Sequence, residues 1–103
     1  MTRLNSAKLR KAGWRSGSYQ DFLGLSDAEV ALVEMQAALS QHLRERRASV
    51  GLSQSELAKR IGSSQSRIAK MEAGDPAVTL DLLIRALLVL GASTKDIARS
   101  FTR

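Results

Sequence analysis

The sequence predicts an all-α fold of five helices from residue 26 onward, and three observations support this prediction. Apolar residues recur at three- and four-residue steps, as they do along one face of a helix. A Ser or Thr stands at the start of each apolar segment, and a Gly ends four of the five, as expected at helix boundaries. No stretch alternates between apolar and polar residues, which would indicate a half-buried strand.

The first predicted helix begins at Ser26, which forms a capping-box pair with Glu29, and it ends near Ser49, before Gly51. One apolar stripe is expected along it, through Val30, Val33, Ala37, Leu39, Leu43 and Arg47. The other four helices are expected between these polar caps and ends: Ser53 (a second capping box, with Glu56) to Gly62, Ser64 to Gly74, Thr79 to Gly91, and Thr94 to Phe101.

Residues 1–25 differ from the rest of the chain because glycines, serines and scattered charges replace any helical period. We expect a mostly disordered basic N-terminal arm over 1–25 and one helical domain over 26–103. The arm also carries four large apolar residues that could dock on the protein itself or on a partner: Trp14, Tyr19, Phe22 and Leu23.

The composition limits the classes of function. The 103 residues carry a net charge of +6 and no cysteine, which excludes disulfides and cysteine-bound metals and fits a cytoplasmic protein. The basic residues cluster in the arm and between residues 44 and 70, as they would in a protein that binds a polyanion. A basic composition that serves solubility alone is the alternative. We expect no membrane partner: the longest apolar run is too short to span a bilayer, and a membrane-surface role of the basic arm would need a larger apolar moment than the arm has.

The spacing of small residues over about 53–74 predicts a helix-turn-helix. Counting from Gln54, Ala58 comes fifth, Gly62 ninth and Ile68 fifteenth. Two short helices that cross steeply need a residue as small as Ala58 at their closest point, and the turn needs a residue that tolerates positive φ. The wedge between the helices is expected to contain Leu57, Ile61, Ile68 and Met71.

The segment LSQSELAKRIGSSQSRIAKMEAG resembles the helix-turn-helix of the Xre/Cro phage-repressor family, and residues 36–102 fit the five-helix, lambda-repressor-like DNA-binding fold of that family. The preceding DFLGLSDAEVALVEM, with its basic arm, resembles the HigA-like antitoxin branch of type II toxin–antitoxin systems. One departure is Ala73, where many relatives carry an Asn, so any contact made by that Asn is absent here.

In this family the second helix of the motif enters the major groove of double-stranded DNA with its N-terminal residues against base edges. Small side chains at Ser64 and Ser66 would permit close approach. Gln65 can bind adenine in a bidentate manner, Ser66 can serve donor or acceptor edges, and Lys70 can reach guanine or a phosphate.

Other residues are expected to hold the DNA backbone or the fold. The resemblance implies that Gln54 contacts a phosphate, and Ser64 and Arg67 are further phosphate candidates. The resemblance also implies an ion pair between Arg47 and Glu72 that joins the first helix to the third.

The resemblance implies a dimeric transcriptional repressor that autoregulates its operon and neutralises an RNase toxin, which it would bind through residues 1–45. The alternative is a stand-alone phage or bacterial repressor whose arm is an electrostatic tether for DNA. A homodimer would engage two half-sites about 34 Å apart. The two C-terminal helices supply a candidate interface, formed by Leu83, Leu87, Leu90, Ile97 and Phe101. Core filling is expected to explain most of these residues, and about half of them are expected to reach a partner subunit.

An enzymatic function is not expected. The single histidine, His42, has no partner motif and is expected at the surface or in an interface. The serines of GSSQS lack the G-x-S-x-G arrangement of a nucleophile elbow. The sequence offers no metal-ligand cluster and no phosphate-binding glycine loop, so no cofactor is expected.

Overall fold

The computed structural model describes residues 26–102, and its five helices are numbered α1 to α5 in chain order. They span Asp27–Ser49 (α1), Gln54–Ile61 (α2), Gln65–Ala73 (α3), Leu80–Val89 (α4) and Thr94–Ser100 (α5). The described residues contain no strand, so the predicted all-α fold of five helices is confirmed. The predicted arm over 1–25, with its four large apolar residues, lies outside the described part of the chain.

The chain divides into two compact units, Met1–Glu34 and Met35–Arg103. The described part of the first unit begins with the predicted capping box. The Ser26 backbone N–H donates to Glu29 Oε1 at 2.8 Å, and the Glu29 backbone N–H donates to Ser26 Oγ at 3.1 Å. These two bonds satisfy backbone groups that no earlier turn can reach, and α1 begins directly after Ser26.

The predicted apolar stripe of α1 is confirmed at Val30, which is 7% exposed, and in the second half of the helix, but it is wrong at Val33 and Ala37. Leu39 and Leu43 are fully buried, whereas Val33 is 51% exposed and Ala37 is exposed. The step from Ala37 to Leu39 is two residues, which turns about 200° around a helix axis. Ala37 therefore points almost directly away from the face that Leu39 and Leu43 bury.

The core of the second unit is aliphatic. It is formed by Leu39, Leu43, Leu57, Ala58, Ile68, Met71, Val78, Leu83, Ala86, Leu87, Leu90, Ala92 and Ile97. The three residues predicted to fill most of the wedge of the motif, Leu57, Ile68 and Met71, belong to this core, while Ile61 packs against it half-buried.

The candidate dimer surface is mostly core, as predicted, but less than the predicted half of it is left for a partner subunit. Of its five residues, Leu83, Leu87, Leu90 and Ile97 are buried in the chain's own core, and Phe101 alone is exposed, at 40%. A second unit this small needs the apolar residues of α4 and α5 to cover α1, α2 and α3. The apolar residues that α4 does expose are Leu88 and Val89, which point away from that core.

The ends of the last two helices differ slightly from the prediction. Helix α4 ends at Val89, one residue earlier than expected. Helix α5 is preceded by a capping box that the sequence reading missed: the Ser93 N–H donates to Asp96 Oδ2 at 2.8 Å, and the Asp96 N–H donates to Ser93 Oγ at 3.1 Å. This box was missed because Asp96 stands at the third helical position, where a capping box usually has Glu or Gln.

His42 joins α1 to α5, although an exposed or interface position was expected. Its ring is half-buried, and its Nε2 accepts from Arg46 Nε at 3.1 Å. Because Nε2 accepts, Nδ1 carries the proton and donates to Ser100 Oγ at 2.7 Å. Arg46 also pairs with Asp96 at 3.2 Å, so polar contacts fasten α5 onto α1. Among the described residues, no helix is long and apolar enough to cross a membrane.

Candidate nucleic-acid interface

Helices α2 and α3 meet at the small residue and the glycine that the spacing predicted. Ala58 is 3% exposed, and its carbonyl accepts from the Ser63 backbone N–H at 2.8 Å. Gly62 ends α2 with a φ of 68° and a ψ of 40°, the left-handed conformation that residues with a Cβ rarely adopt. The chain therefore turns sharply after α2 and starts α3 only three residues later.

The start of α2 is fixed by the second predicted capping box. Ser53 Oγ accepts from the Glu56 N–H at 3.0 Å, and Glu56 Oε1 accepts from the Ser53 N–H at 2.8 Å. The backbone N–H and hydroxyl of Ser53 hold the pKa of the Glu56 carboxyl below its ordinary value, because they favour the charged form. This box holds the first turn of α2, where Gln54 lies, in one position.

Helix α3 presents a polar, exposed tip. Ser64 Oγ caps the helix by accepting from the Arg67 N–H at 3.2 Å and lies 3.3 Å from Ser66 Oγ. The side chains of five predicted site residues are exposed: Ser64, Gln65, Ser66, Arg67 and Lys70. The opposite face of α3 is buried in the core through Ile68 and Met71, so the helix cannot rotate without losing that packing.

The structure brings two of the predicted site residues into direct contact. Gln65 Nε2 donates to Gln54 Oε1 at 2.6 Å, although the residues lie on different helices. Gln54 in turn donates from its Nε2 to Glu72 Oε1 at 3.1 Å. The side chain of Gln65 is thus held at the tip of α3 by a half-buried neighbour.

The far end of this hydrogen-bond chain is the predicted ion pair. Arg47 binds Glu72 in a bidentate manner, with Nε donating to Oε2 and Nη2 donating to Oε1. Glu72 is 4% exposed and Arg47 16%, so the pair is shielded from water. Burial alone would raise the pKa of Glu72, but the hydrogen bonds from Arg47 and Gln54 lower it below its ordinary value. Glu72 is therefore an anion that anchors α3 to both α1 and α2.

Arg44 is a further contact to α3 that the sequence reading missed. Its Nη1 donates to the Glu72 backbone carbonyl at 3.2 Å. The last carbonyls of a helix have no partner within the helix, so a guanidinium there satisfies one of them. The signal in the sequence was the three-residue step from Arg44 to Arg47, which places both side chains on neighbouring positions of α1.

The remaining site residues, Arg67 and Lys70, are exposed cations of α3. The side chains of Arg67 and Lys70 make no hydrogen bond or ion pair within residues 26–102. Exposed Lys59 and Arg60 at the end of α2 add positive charge to the same motif. An exposed cation without an intramolecular partner is available to a phosphate, and the local charge favours a polyanion.

The family described as Helix-turn-helix matches residues 43–97, which is more than half of the chain. The chain belongs to the helix-turn-helix family. The match confirms the predicted Xre/Cro type and extends from the second half of α1 into α5. Comparisons with curated proteins and with solved structures gave no match.

Family membership fixes the general function of this helix-turn-helix protein. The family consists of sequence-specific DNA-binding regulators of transcription, and not typically of enzymes, and this chain is a DNA-binding regulator. Within the described residues, no group of histidine and carboxylate side chains could hold a metal ion.

Proposed function

We propose that the protein is a transcriptional repressor that reads a double-stranded DNA operator with the N-terminal tip of α3. The observation that carries the proposal is the hydrogen bond between Gln65 and Gln54, which fixes an exposed amide at the place where the motif approaches base edges. The protein would act in the cytoplasm.

Gln65 retains the groups that a bidentate contact to adenine requires. A glutamine amide has two N–H donors and an accepting oxygen, and Gln54 uses one of the two donors. The second N–H can donate to adenine N7 while Oε1 accepts from adenine N6. Ser66 beside it is small, exposed and able to donate or accept, and we assign it to the neighbouring base edge.

The other predicted site residues would hold the DNA backbone. Gln54 uses its oxygen and one Nε2 hydrogen inside the protein, which leaves the second hydrogen for a phosphate. Ser64 and Arg67 lie exposed at the cap and first turn of α3. Lys70 would reach guanine or a phosphate from the next turn. Such backbone contacts fix the register in which Gln65 and Ser66 meet the bases.

We further propose that the protein binds DNA as a homodimer through its C-terminal helices. The exposed Phe101, at the end of α5, is the part of the predicted surface that remains available. Two-fold symmetric readers double the contact area and recognise half-sites about one helical turn apart. Sedimentation of the wild type and of Phe101→Ser tests this, since the variant should shift toward monomer while its helical content stays the same.

A finer proposal is that the protein is the HigA-like antitoxin of a HigBA-type pair. The protein would then repress its own operon and bind an RNase toxin through residues 1–45. In support, α1 exposes two adjacent apolar side chains in this range, Leu32 at 44% and Val33 at 51%. Deletion of residues 1–25 should abolish binding of the toxin encoded by the neighbouring gene. If the deletion mainly weakens DNA binding, the stand-alone repressor is the better assignment.

The experiment that tests the main proposal is a titration of duplexes from the protein's own promoter at about 50 and 200 mM salt. We expect tight binding of one duplex, with an affinity that falls steeply with salt. Arg67→Ala should weaken binding to every duplex and reduce the salt slope by about one. An unchanged salt slope would remove Arg67 from the proposed phosphate contacts. Equal affinity for all duplexes would contradict the proposal that the protein recognises a specific operator.

A further inference from the structure

A groove of about 490 Å³ lies beside the reading helix, between the α2–α3 turn and α4. Its apolar surface is formed by five residues: Ile61, Met71, Leu82, Leu88 and Val89. Leu88 is 49% exposed and Val89 46%, so adjacent large aliphatic side chains of α4 face water. Exposed apolar surface of this kind, next to polar residues, is typical of an interaction site.

Two arginines border the groove. Arg67 forms no ion pair within residues 26–102. Arg85 is paired with Asp81 at 3.1 Å, but the two side chains are 73% and 71% exposed, and such a surface pair is easily exchanged for another. The groove therefore combines an apolar floor with two guanidinium groups that can receive carboxylates.

The groove also contains a polar atom without a partner. Ser63 Oγ is buried, and no described residue forms a hydrogen bond with it. A buried hydroxyl without a partner costs free energy.

A second copy of the chain is a poor occupant of this groove. A two-fold contact between two such grooves would bring four guanidinium groups, from Arg67 and Arg85 of each copy, around one apolar patch. A partner with negative charge beside its apolar residues has the opposite, favourable electrostatics.

We propose that this groove binds an acidic amphipathic helix of a partner protein. Its apolar side chains cover Leu88 and Val89, and its carboxylates pair with Arg67 and Arg85, as in other helix-in-groove complexes. A carboxylate on Arg67 removes a cation from the DNA-facing tip of α3, so the partner and the operator compete. This last consequence rests on the proposed role of Arg67 in DNA binding; the groove itself does not.

The test uses the full chain and a synthetic helical peptide of about 14 residues, with leucines at three- and four-residue steps and glutamates beside them. Its twin carries glutamine at each glutamate position. Fluorescence anisotropy measures binding of both peptides to the wild type and to Leu88→Ser and Arg85→Gln. The matched controls are Val50→Ser, which is 50% exposed but outside the groove, and Lys95→Gln on α5. Circular dichroism verifies that each variant is folded.

We expect the glutamate peptide to bind about tenfold more tightly than its glutamine twin, because two charge pairs are lost in the twin. Leu88→Ser and Arg85→Gln should each weaken binding severalfold, and the two controls should leave it unchanged. The glutamate peptide should also displace operator DNA from the wild type, while Arg85→Gln still binds the operator.

Four results would overturn the proposal: no binding of the glutamate peptide, equal binding of its twin, an equal loss in Val50→Ser, or a dimer that Leu88→Ser dissociates without peptide. The last result would show that a second copy occupies the groove. The two proposals fail separately. Peptide binding without operator binding would contradict the repressor proposal and leave the groove proposal intact. Operator binding without peptide binding would contradict the groove proposal and leave the repressor proposal intact.

Discussion

At the scale of single residues, the arrangement that matters is a chain of hydrogen bonds from the interior to the surface. Arg47 holds Glu72, Glu72 accepts from Gln54, and Gln54 accepts from Gln65. The inner end is shielded from water and charged, whereas the outer end is exposed and neutral. The position of the Gln65 side chain therefore depends, through Gln54, on Arg47 and Glu72, which are not among the proposed DNA contacts.

We expect Gln54→Ala to reduce the preference for adenine at the position that Gln65 is proposed to read. Without Gln54, the amide of Gln65 loses the bond that orients it, and the lost discrimination should be about 1 kcal/mol, the value of a typical hydrogen bond. Affinities for a duplex and its single-base variants measure this effect. Gln41→Ala, which removes an exposed glutamine of α1, is the matched control and should change nothing. An unaltered preference in Gln54→Ala would contradict the orienting role.

Glu72→Gln should lower the free energy of unfolding by about 3 kcal/mol near neutral pH, because it leaves the charge of Arg47 shielded without a counter-ion. The folded pKa of Glu72 is lowered, so its contribution is complete above the unfolded pKa and disappears as the pH falls through the folded one. Urea unfolding of both proteins at about pH 7 and pH 3 checks this, with the exposed Glu34→Gln as control. The difference should shrink in acid, and a constant difference would refute the assignment.

At the scale of helices, the motif could be predicted from the sequence because its constraints are local. A capping box, a small residue and a glycine act within a few neighbouring residues, and Ser53, Ala58 and Gly62 have their expected roles. Contacts between distant segments could not be predicted in the same way. The bond from Gln54 to Gln65 and the contact of Arg44 with the end of α3 depend on the packing of three helices.

Gly62→Ala should cost about 1 kcal/mol of stability through its backbone alone. The glycine has a φ of +68°, and an added Cβ would meet no atom within 4 Å, so no clash adds to the conformational cost. Gly62→Asn should cost less, since asparagine tolerates this conformation better. Thermal unfolding of the three proteins measures the order. Equal stability of the alanine and asparagine variants would argue against a purely conformational cost.

At the scale of the whole molecule, the sequence predicted the fold class better than the surfaces. The five helices could be predicted because the periodic burial of Leu39 and Leu43 is visible in the spacing. The dimer surface could not be predicted, because the pattern of apolar residues in α4 and α5 is the same whether they cover the chain's own helices or another subunit. Packing decides this, and it buries Leu83 and Leu87 while leaving Leu88 in water.

The folded protein should lose stability in acid through its hydrogen-bonded carboxylates. The Ser93 backbone N–H and hydroxyl, together with Arg99 and Arg46, lower the pKa of Asp96 to about 2. The pKa values of the Glu56 and Glu72 carboxyls are lowered as well. Their stabilisation is complete above the ordinary carboxyl pKa values near 4 and is lost as the pH falls toward 2. Carboxyl NMR titration should give Asp96 the low midpoint, and a midpoint near 4 would contradict the bonded cap.

The central claim, that the exposed tip of α3 reads bases through Gln65, is tested most directly by binding-site selection with the wild type and Gln65→Ala. The variant should lose about 1–3 kcal/mol on the selected site and become indifferent at a single base position, while its preference at the other positions persists. The same selected sequence from both proteins would contradict the claim.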